Sequence, residues 1–235
     1  MSETFQLNLP LLMPSQAQKH VTVNEGLARL DALAQINLQS RTLSVPPSTS
    51  HDGTSYGVPA GASGAWSGRI GKIAIFSNGD WIFATPRTGW RAWIVDEFTM
   101  AVFDGGQWRA GALAFSANGA SSVFRVIEFT HTIGAGTVST PSVRISETSM
   151  VFAVSARVLS NVTGTLVSWQ LGSAGNPNRF GSGLGLTSGS FTWGLLSSPT
   201  TYYAATDLIL TATGGNFSGG SVRLAIHALN LTLPF

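Results

Sequence analysis

Apolar positions along this 235-residue chain change their period near residue 45. Upstream, "TVNEGLARLDALAQINLQSR" carries Val23, Leu27, Leu30, Ala34 and Leu38 at steps of three and four, the stripe of an amphipathic helix. Thr22 and Glu25 have capping-box spacing and would start it. The first twenty residues, interrupted by Pro10 and Pro14, read as an extended arm, and "VPPSTSHDG" ends the helix.

From His51 to about Ala110 the period is two, and a repeat appears. "IAIFSNGDW" (Ile73 to Trp81) returns as "MAVFDGGQW" (Met100 to Trp108). Each copy is a short apolar strand, a turn signal and a tryptophan; Asn78-Gly79 and Gly105-Gly106 supply the positive φ angles of tight hairpins. Trp66, Trp81, Trp90, Trp93 and Trp108 all fall in this module and read as core pillars.

"GALAFSANGAS" reads as a small-residue connector. Beyond it, strands are expected at 123–131, 143–158, 165–171, 191–195, 202–212 and 221–231. "SMVFAVSARVL" alternates Met150, Phe152, Val154, Ala156 and Val158 on one face, and "SVRLAIHALNLTL" alternates likewise with Arg223 and His227 on the other. Short strands between Gly, Ser, Thr, Asn and Pro turns predict a mainly β chain ending in an antiparallel sandwich or jelly roll. The expected organisation is a segment 1–45 with arm and helix, a Trp-rich module at 46–111, a linker at 112–122 and a β-sandwich at 123–235.

Composition sharpens this picture. Charged residues make up 10% of the chain, where roughly 25% is usual. A monomer of this mass would expose roughly 10,000 Å², leaving about one charge per 400 Å². Such thin cover points to subunits burying one another's flanks and to a surface of Ser, Thr, Asn and Gly. The net charge of +2 includes only two lysines, Lys19 and Lys72, and no basic cluster suits a phosphate backbone, so nucleic acid is not expected as a partner. The absence of cysteine removes disulfides, thiol catalysis and thiolate metal sites. "MSETFQLNLPLLMP" has neither the basic start nor the unbroken apolar run of a signal peptide, and no run reaches membrane-spanning length. Synthesis in the cytoplasm without membrane insertion is the expectation.

Candidate chemistry is sparse. "GSGLG" at 181–185 does not complete a dinucleotide fingerprint and no Walker motif occurs, so no cofactor is expected. His20, His51, His131 and His227 lack metal-binding spacing, and no metal is expected. A glycosidase needs two carboxyl groups across the scissile bond, yet Asp207 is the single acid from residue 149 onward, preceded by Glu128 and Glu147. No catalytic residue is assigned. Binding of uncharged carbohydrate remains, with aromatic rings covering sugar C–H faces and amides or Arg reaching hydroxyls. The candidate ligand contacts are Trp169, Phe180, Trp193, Tyr202 and Tyr203 as aromatics, with Asn176, Asn178 and Arg179 as donors.

"LPLLMPSQAQKHVTVNEGLARLDAL", "GVPAGASGAWSG", "GWRAWIVDE" and "VFDGGQW" closely resemble an uncharacterised N-terminal domain family. That family occurs in fibre and spike proteins of alphaproteobacterial phages, prophages and gene transfer agents. The second half, through "SARVLSNVTGT", "NRFGSGLGL" and "YYAATDLILTATGGNFSGGSVRLAIHALNL", resembles the β domains that often end such fibres. The resemblance implies a homotrimeric, non-enzymatic virion or particle component. Segment 1–45 would attach to other particle proteins and trimerise, 46–111 would form a stalk or collar, and 123–235 would be a tip that binds host surface polysaccharide such as capsule. Two rivals are a capsule-degrading tailspike and an adaptor that holds another fibre protein.

Overall fold

A computed structural model describes residues 3–13 and 19–234, with one α-helix and eighteen strands among them. The chain divides into two units, Met1–Ala112 and Leu113–Phe235. Among the described residues no helix is long and apolar enough to cross a membrane.

In the first unit, α1 (Lys19–Ala34) starts one turn earlier than the Thr22–Glu25 spacing predicts and stops before Leu38. Its expected stripe is not its buried face: Val23, Leu30 and Ala34 are exposed, whereas Asp31 and Ala32 are buried. Leu38 does reach the core, but from strand β1 (Asn37–Leu38). The carboxylate of Asp31 is the reason for the shifted face. It accepts hydrogen bonds from Thr4 Oγ1 (2.7 Å), the Gln6 N–H (3.0 Å) and the Leu7 N–H (2.7 Å). Residues 3–10 are therefore no extended arm: Glu3 and Pro10 form an antiparallel bridge around a turn that Asp31 clasps. A second clasp follows, where the Asn24 amide exchanges hydrogen bonds with Leu12 N–H and C=O. Residues 14–18, which include Pro14 and most of the "PSQAQKH" string, lie outside the described residues.

A seven-stranded mixed sheet completes this unit. Strands β1, β2 (Ser55–Gly57), β3 (Ile73–Ser77), β4 (Asp80–Ala84), β5 (Arg91–Ile94), β6 (Thr99–Phe103) and β7 (Trp108–Ala110) lie in the order β4-β3-β2-β1-β5-β6-β7. Because β1 is central and parallel to both neighbours, segment 1–45 is built into the same sheet as 46–111. The repeat forms two hairpins at opposite ends of the sheet. In each, a phenylalanine pairs with the tryptophan across the turn: Phe76 with Trp81 and Phe103 with Trp108, ring centroids 5.0 and 5.2 Å apart. Asn78 (φ 53°) and Gly79 (φ 80°) make the tight turn their dipeptide predicts. The second turn is held by Asp104, which accepts from the Gly106 and Gln107 N–H groups and from Arg109. Partial burial alone would raise its pKa, but these bonds outweigh burial and hold the carboxyl below 3.8. Trp66 and Trp108 are core residues as expected, whereas Trp93 points outward and is exposed.

In the second unit, two sheets face each other across one apolar core, the expected sandwich. Its strands are β8 (Ala112–Phe115), β9 (Ser121–Thr132), β10 (Val138–Ser139), β11 (Arg144–Ile145), β12 (Ser149–Gly164), β13 (Ser168–Ser173), β14 (Asn176–Leu184), β15 (Phe191–Thr192), β16 (Leu195–Tyr202), β17 (Thr206–Thr213) and β18 (Phe217–Thr232). The six-stranded sheet runs β15-β12-β18-β9-β8 with β16 also on β12, and the five-stranded sheet runs β10-β17-β13-β14 with β11 on β17. Residues 112–122 thus contain a paired strand and its turn in place of a plain connector. Strands β14 and β16 lie largely outside the expected strand ranges; Gly181 and Gly183 in β14, and Pro199 in β16, disguise them.

The alternation in β18 is as predicted, with Val222, Leu224, Ile226 and Ala228 inward and Arg223 outward. The alternation in β12 is not continuous. A register shift between Val151 and Ala153 moves the buried set from Val151 to Val154, Ala156 and Val158. Phe152 is turned to the outer face, where it stacks on Phe124 at 5.4 Å.

His131 of β9 joins the sheets by hydrogen bonding through Nε2 to Ser139 Oγ of β10 (2.8 Å). Ser139 Oγ also accepts from the Gly134 N–H, so one hydroxyl ties the imidazole to the backbone at Gly134. Burial pushes the His131 pKa below 6.5. A depressed histidine contributes stability in full above the unfolded value and loses it as pH falls through the folded one. Thermal melts of the chain from about pH 7.5 to about pH 5 should therefore show a falling Tm, and His131→Gln should flatten that fall. An unchanged slope in the variant would remove His131 as its source.

Candidate functional site

The stretch "NPNRFGSGLGLTSGSFTWG" comprises β14, a loop and β15, and it does not gather the expected ligand contacts into one place. Trp169 is buried, its Nε1–H donating to the Gly185 carbonyl at 3.0 Å. Phe180 and Tyr202 are also core residues. These three aromatics close the sandwich and present no face to a ligand. Arg179 sits above the Tyr202 ring, 6.0 Å from its centroid, and donates to Thr200 Oγ1 at 3.2 Å. Asn178 is exposed and Asn176 half-buried in β14. Tyr203 is 83% exposed and Trp193 71% exposed. Of the eight, Trp193 lines a groove.

That groove, about 330 Å³, lies on the outer face of the six-stranded sheet. Its position follows from strand register. Ser155 pairs with Ala225, and Ala225 with Glu128, so two small side chains lie in one row beside Glu128. The neighbouring row is Thr130, Arg223, Arg157 and Phe191 across β9, β18, β12 and β15. Phe191 and Trp193 form the aromatic wall, in a T-shaped pair at 5.9 Å and 79°.

The backbone at 192–194 holds that wall outward. Val154 N–H donates to the Gly194 carbonyl, while Gly194 N–H donates to Thr192 Oγ1, which in turn donates to the Phe180 carbonyl. Gly194 has φ 58°, and a Cβ at this position would overlap the Val154 carbonyl oxygen. Only glycine allows this close approach to β12. With its backbone pinned there, Trp193 has the sheet behind it and solvent in front.

Electrostatically the groove is positive with one acid in its lining. Arg157 lies over the Phe191 ring at 5.4 Å and donates to the Gly189 carbonyl at 3.4 Å. Arg223 approaches Thr130 Oγ1 at 3.4 Å and Glu128 at 3.8 Å. His227 Nε2 shares a hydrogen bond with Ser155 Oγ at 3.2 Å. Asp207, considered as a hydrolytic acid, lies on β17 of the other sheet and chelates Arg144 through both carboxylate oxygens. Among the described residues no three of His, Asp and Glu converge as metal ligands would. The outward positions of "SMVFAVSARVL" and "SVRLAIHALNLTL" already held Ser155, Arg157 and Arg223; what they lacked was the pairing that sets them side by side.

Residues 23–109 match a family described as "Protein of unknown function (DUF2793)". The match covers most of α1 and reaches into β7, so it falls within the first unit and stops short of the groove-bearing one. No curated protein matches the chain.

Proposed function

We propose that this protein is a structural spike or fibre component of a phage or gene transfer agent particle, and that its second unit binds host cell-surface polysaccharide without cleaving it. The observation that carries this reading is the pairing of solvent-facing Phe191 and Trp193 beside a groove floored by Ser155 and Ala225. Exposed aromatic rings at right angles offer flat apolar surfaces for the C–H faces of pyranoses, and the arginines and hydroxyls around them match sugar oxygens. Hydrolysis would need a second carboxyl group opposite Glu128, and the remaining charged walls are arginines. The first unit supports the particle reading through its sequence resemblance to N-terminal domains of such spikes.

Attachment is assigned to the first unit and the assembled state to a homotrimer. Val21, Val23 and Leu30 are exposed on α1, and neighbouring copies would cover them. A single shallow groove binds sugar weakly; three on one spike, multiplied over many spikes on a particle, supply avidity.

The test is retention of the full-length chain on capsulated and capsule-less host cells. Wild type should bind the capsulated cells alone, and Trp193→Ala or Phe191→Ala should lower binding about tenfold, worth about 1.4 kcal/mol. Equal binding to both cell types would overturn the polysaccharide reading. Release of shortened oligosaccharides from purified capsule would overturn the non-hydrolytic part, and a stable monomer in light scattering would overturn the trimer.

A further inference from the structure

The groove contains an arrangement that a neutral sugar does not require. Arg157 of β12 and Arg223 of β18 are direct cross-strand partners, and both project from the outer face because their neighbours Ala156, Val158, Val222 and Leu224 are buried. Like charges placed directly opposite each other in an antiparallel pair are destabilising. Among the described residues the offset is weak. Arg157 has no carboxylate partner among the described residues, and Arg223 meets Glu128 only at 3.8 Å, with both side chains at least half exposed. By contrast, Arg109 lies 2.6 Å from Asp104, and Asp207 chelates Arg144.

We infer that the groove is selective for an acidic polysaccharide, with a uronic-acid carboxylate seated between Arg157 and Arg223 while the sugar ring packs on Phe191 and Trp193. This deepens the polysaccharide reading above and rests on it. The Phe191 ring steadies the Arg157 guanidinium from beneath, so its N–H edge remains available to an anion. Arginine is suited to the planar, two-oxygen geometry of a carboxylate. Ser155 and Ala225 leave room for the ring because neither has a bulky side chain. Glu128 is a loose internal occupant of the anion position, which the ligand's carboxylate displaces from Arg223.

The experiment compares immobilised polygalacturonate and polyglucuronate with the same polymers after reduction of their carboxyl groups to primary alcohols. The full-length chain is the analyte, at physiological ionic strength. Wild type should bind the acid forms at least about tenfold more tightly than the reduced forms. Arg157→Gln and Arg223→Gln should each erase most of that preference, lowering affinity for the acid forms much more than for the reduced polymers, and Glu128→Gln should strengthen binding to the acid forms several-fold. All three positions are on the solvent face, so circular dichroism should show the variants folded.

Equal affinity for acid and reduced polymers, or no binding to either polyuronate, would overturn the inference. So would equally tight binding of dextran sulfate, since that reports diffuse positive field and no carboxylate seat. If capsule binding still depends on Trp193 in those cases, the proposed function survives without a carboxylate seat. Self-association that is abolished by Arg157→Gln would also overturn it, by assigning this face to a second copy of the chain.

Discussion

Gly194→Ala is expected to destabilise the second unit by roughly 3 kcal/mol or more. Two costs combine. An L-residue at φ 58° is strained by about 1–2 kcal/mol, and the added Cβ must also push the 193–194 backbone away from the Val154 carbonyl. The hydrogen bond from Val154 N–H to Gly194, which fastens this segment to β12, would lengthen or break. Gly183 provides the control: its φ is 63°, yet a Cβ there meets nothing within 4 Å. Gly183→Ala should thus cost only the conformational share, about 1 kcal/mol. Urea denaturation should show the midpoint falling much further for Gly194→Ala than for Gly183→Ala. Similar midpoints for the two variants would mean that the close approach at Val154 does not exist. Because the same segment holds Trp193, loss of capsule binding should accompany loss of stability at Gly194.

The second large effect is expected at Asp31→Ala, at roughly 3 kcal/mol in the first unit. Asp31 is 1% exposed, and Thr4 Oγ1 and the N–H groups of Gln6 and Leu7 hold its carboxylate. Truncation strands three donors in a partly buried turn, and hydrogen bonds to a charged acceptor are worth more than neutral ones. Residues 3–10 should then detach from α1 while the seven-stranded sheet persists. Limited proteolysis would register this as rapid cleavage within the first thirteen residues, together with a lower melting temperature. Asn24→Ala, which removes only the exposed clasp at Leu12, should have a smaller effect of about 1 kcal/mol. A cleavage rate unchanged from wild type in Asp31→Ala would show that the arm is held by something else. If this arm attaches the spike to its particle, the variant should also fail to incorporate.

Much of the architecture was legible in the residues. Asn78-Gly79 announced its hairpin because few dipeptides accept two positive φ angles in succession. The repeat announced a second, and its Phe–Trp pairs proved to be cross-strand neighbours. The alternation of "SVRLAIHALNLTL" placed Arg223 outward correctly, since β18 runs without interruption opposite β9. The helix was legible too, although its buried face was not. Hydrophobic spacing pointed to Val23, Leu27 and Leu30, but the face turned inward is set by the polar Asp31, whose donors are 24 to 27 residues away. No local pattern encodes that distance.

The candidate site was the least legible part. Composition marks its aromatics alike and does not distinguish Trp169, which fills the core, from Trp193, which faces solvent. Position along one strand also failed at β12, where the shift after Val151 reverses the faces and sends Phe152 outward.

By itself, the sequence determined the β class, the hairpin turns, the tryptophan-bearing repeat, the inward residues of regular strands and a surface thin in charge. These are properties of neighbours, fixed by backbone sterics and by side-chain period. Tertiary structure alone decided which aromatics are covered, which face a bulged strand presents, and that Arg157, Arg223, Glu128 and Phe191 share one groove. Burial and juxtaposition depend on which distant strand lies alongside, a choice made by the whole sandwich as it closes its core.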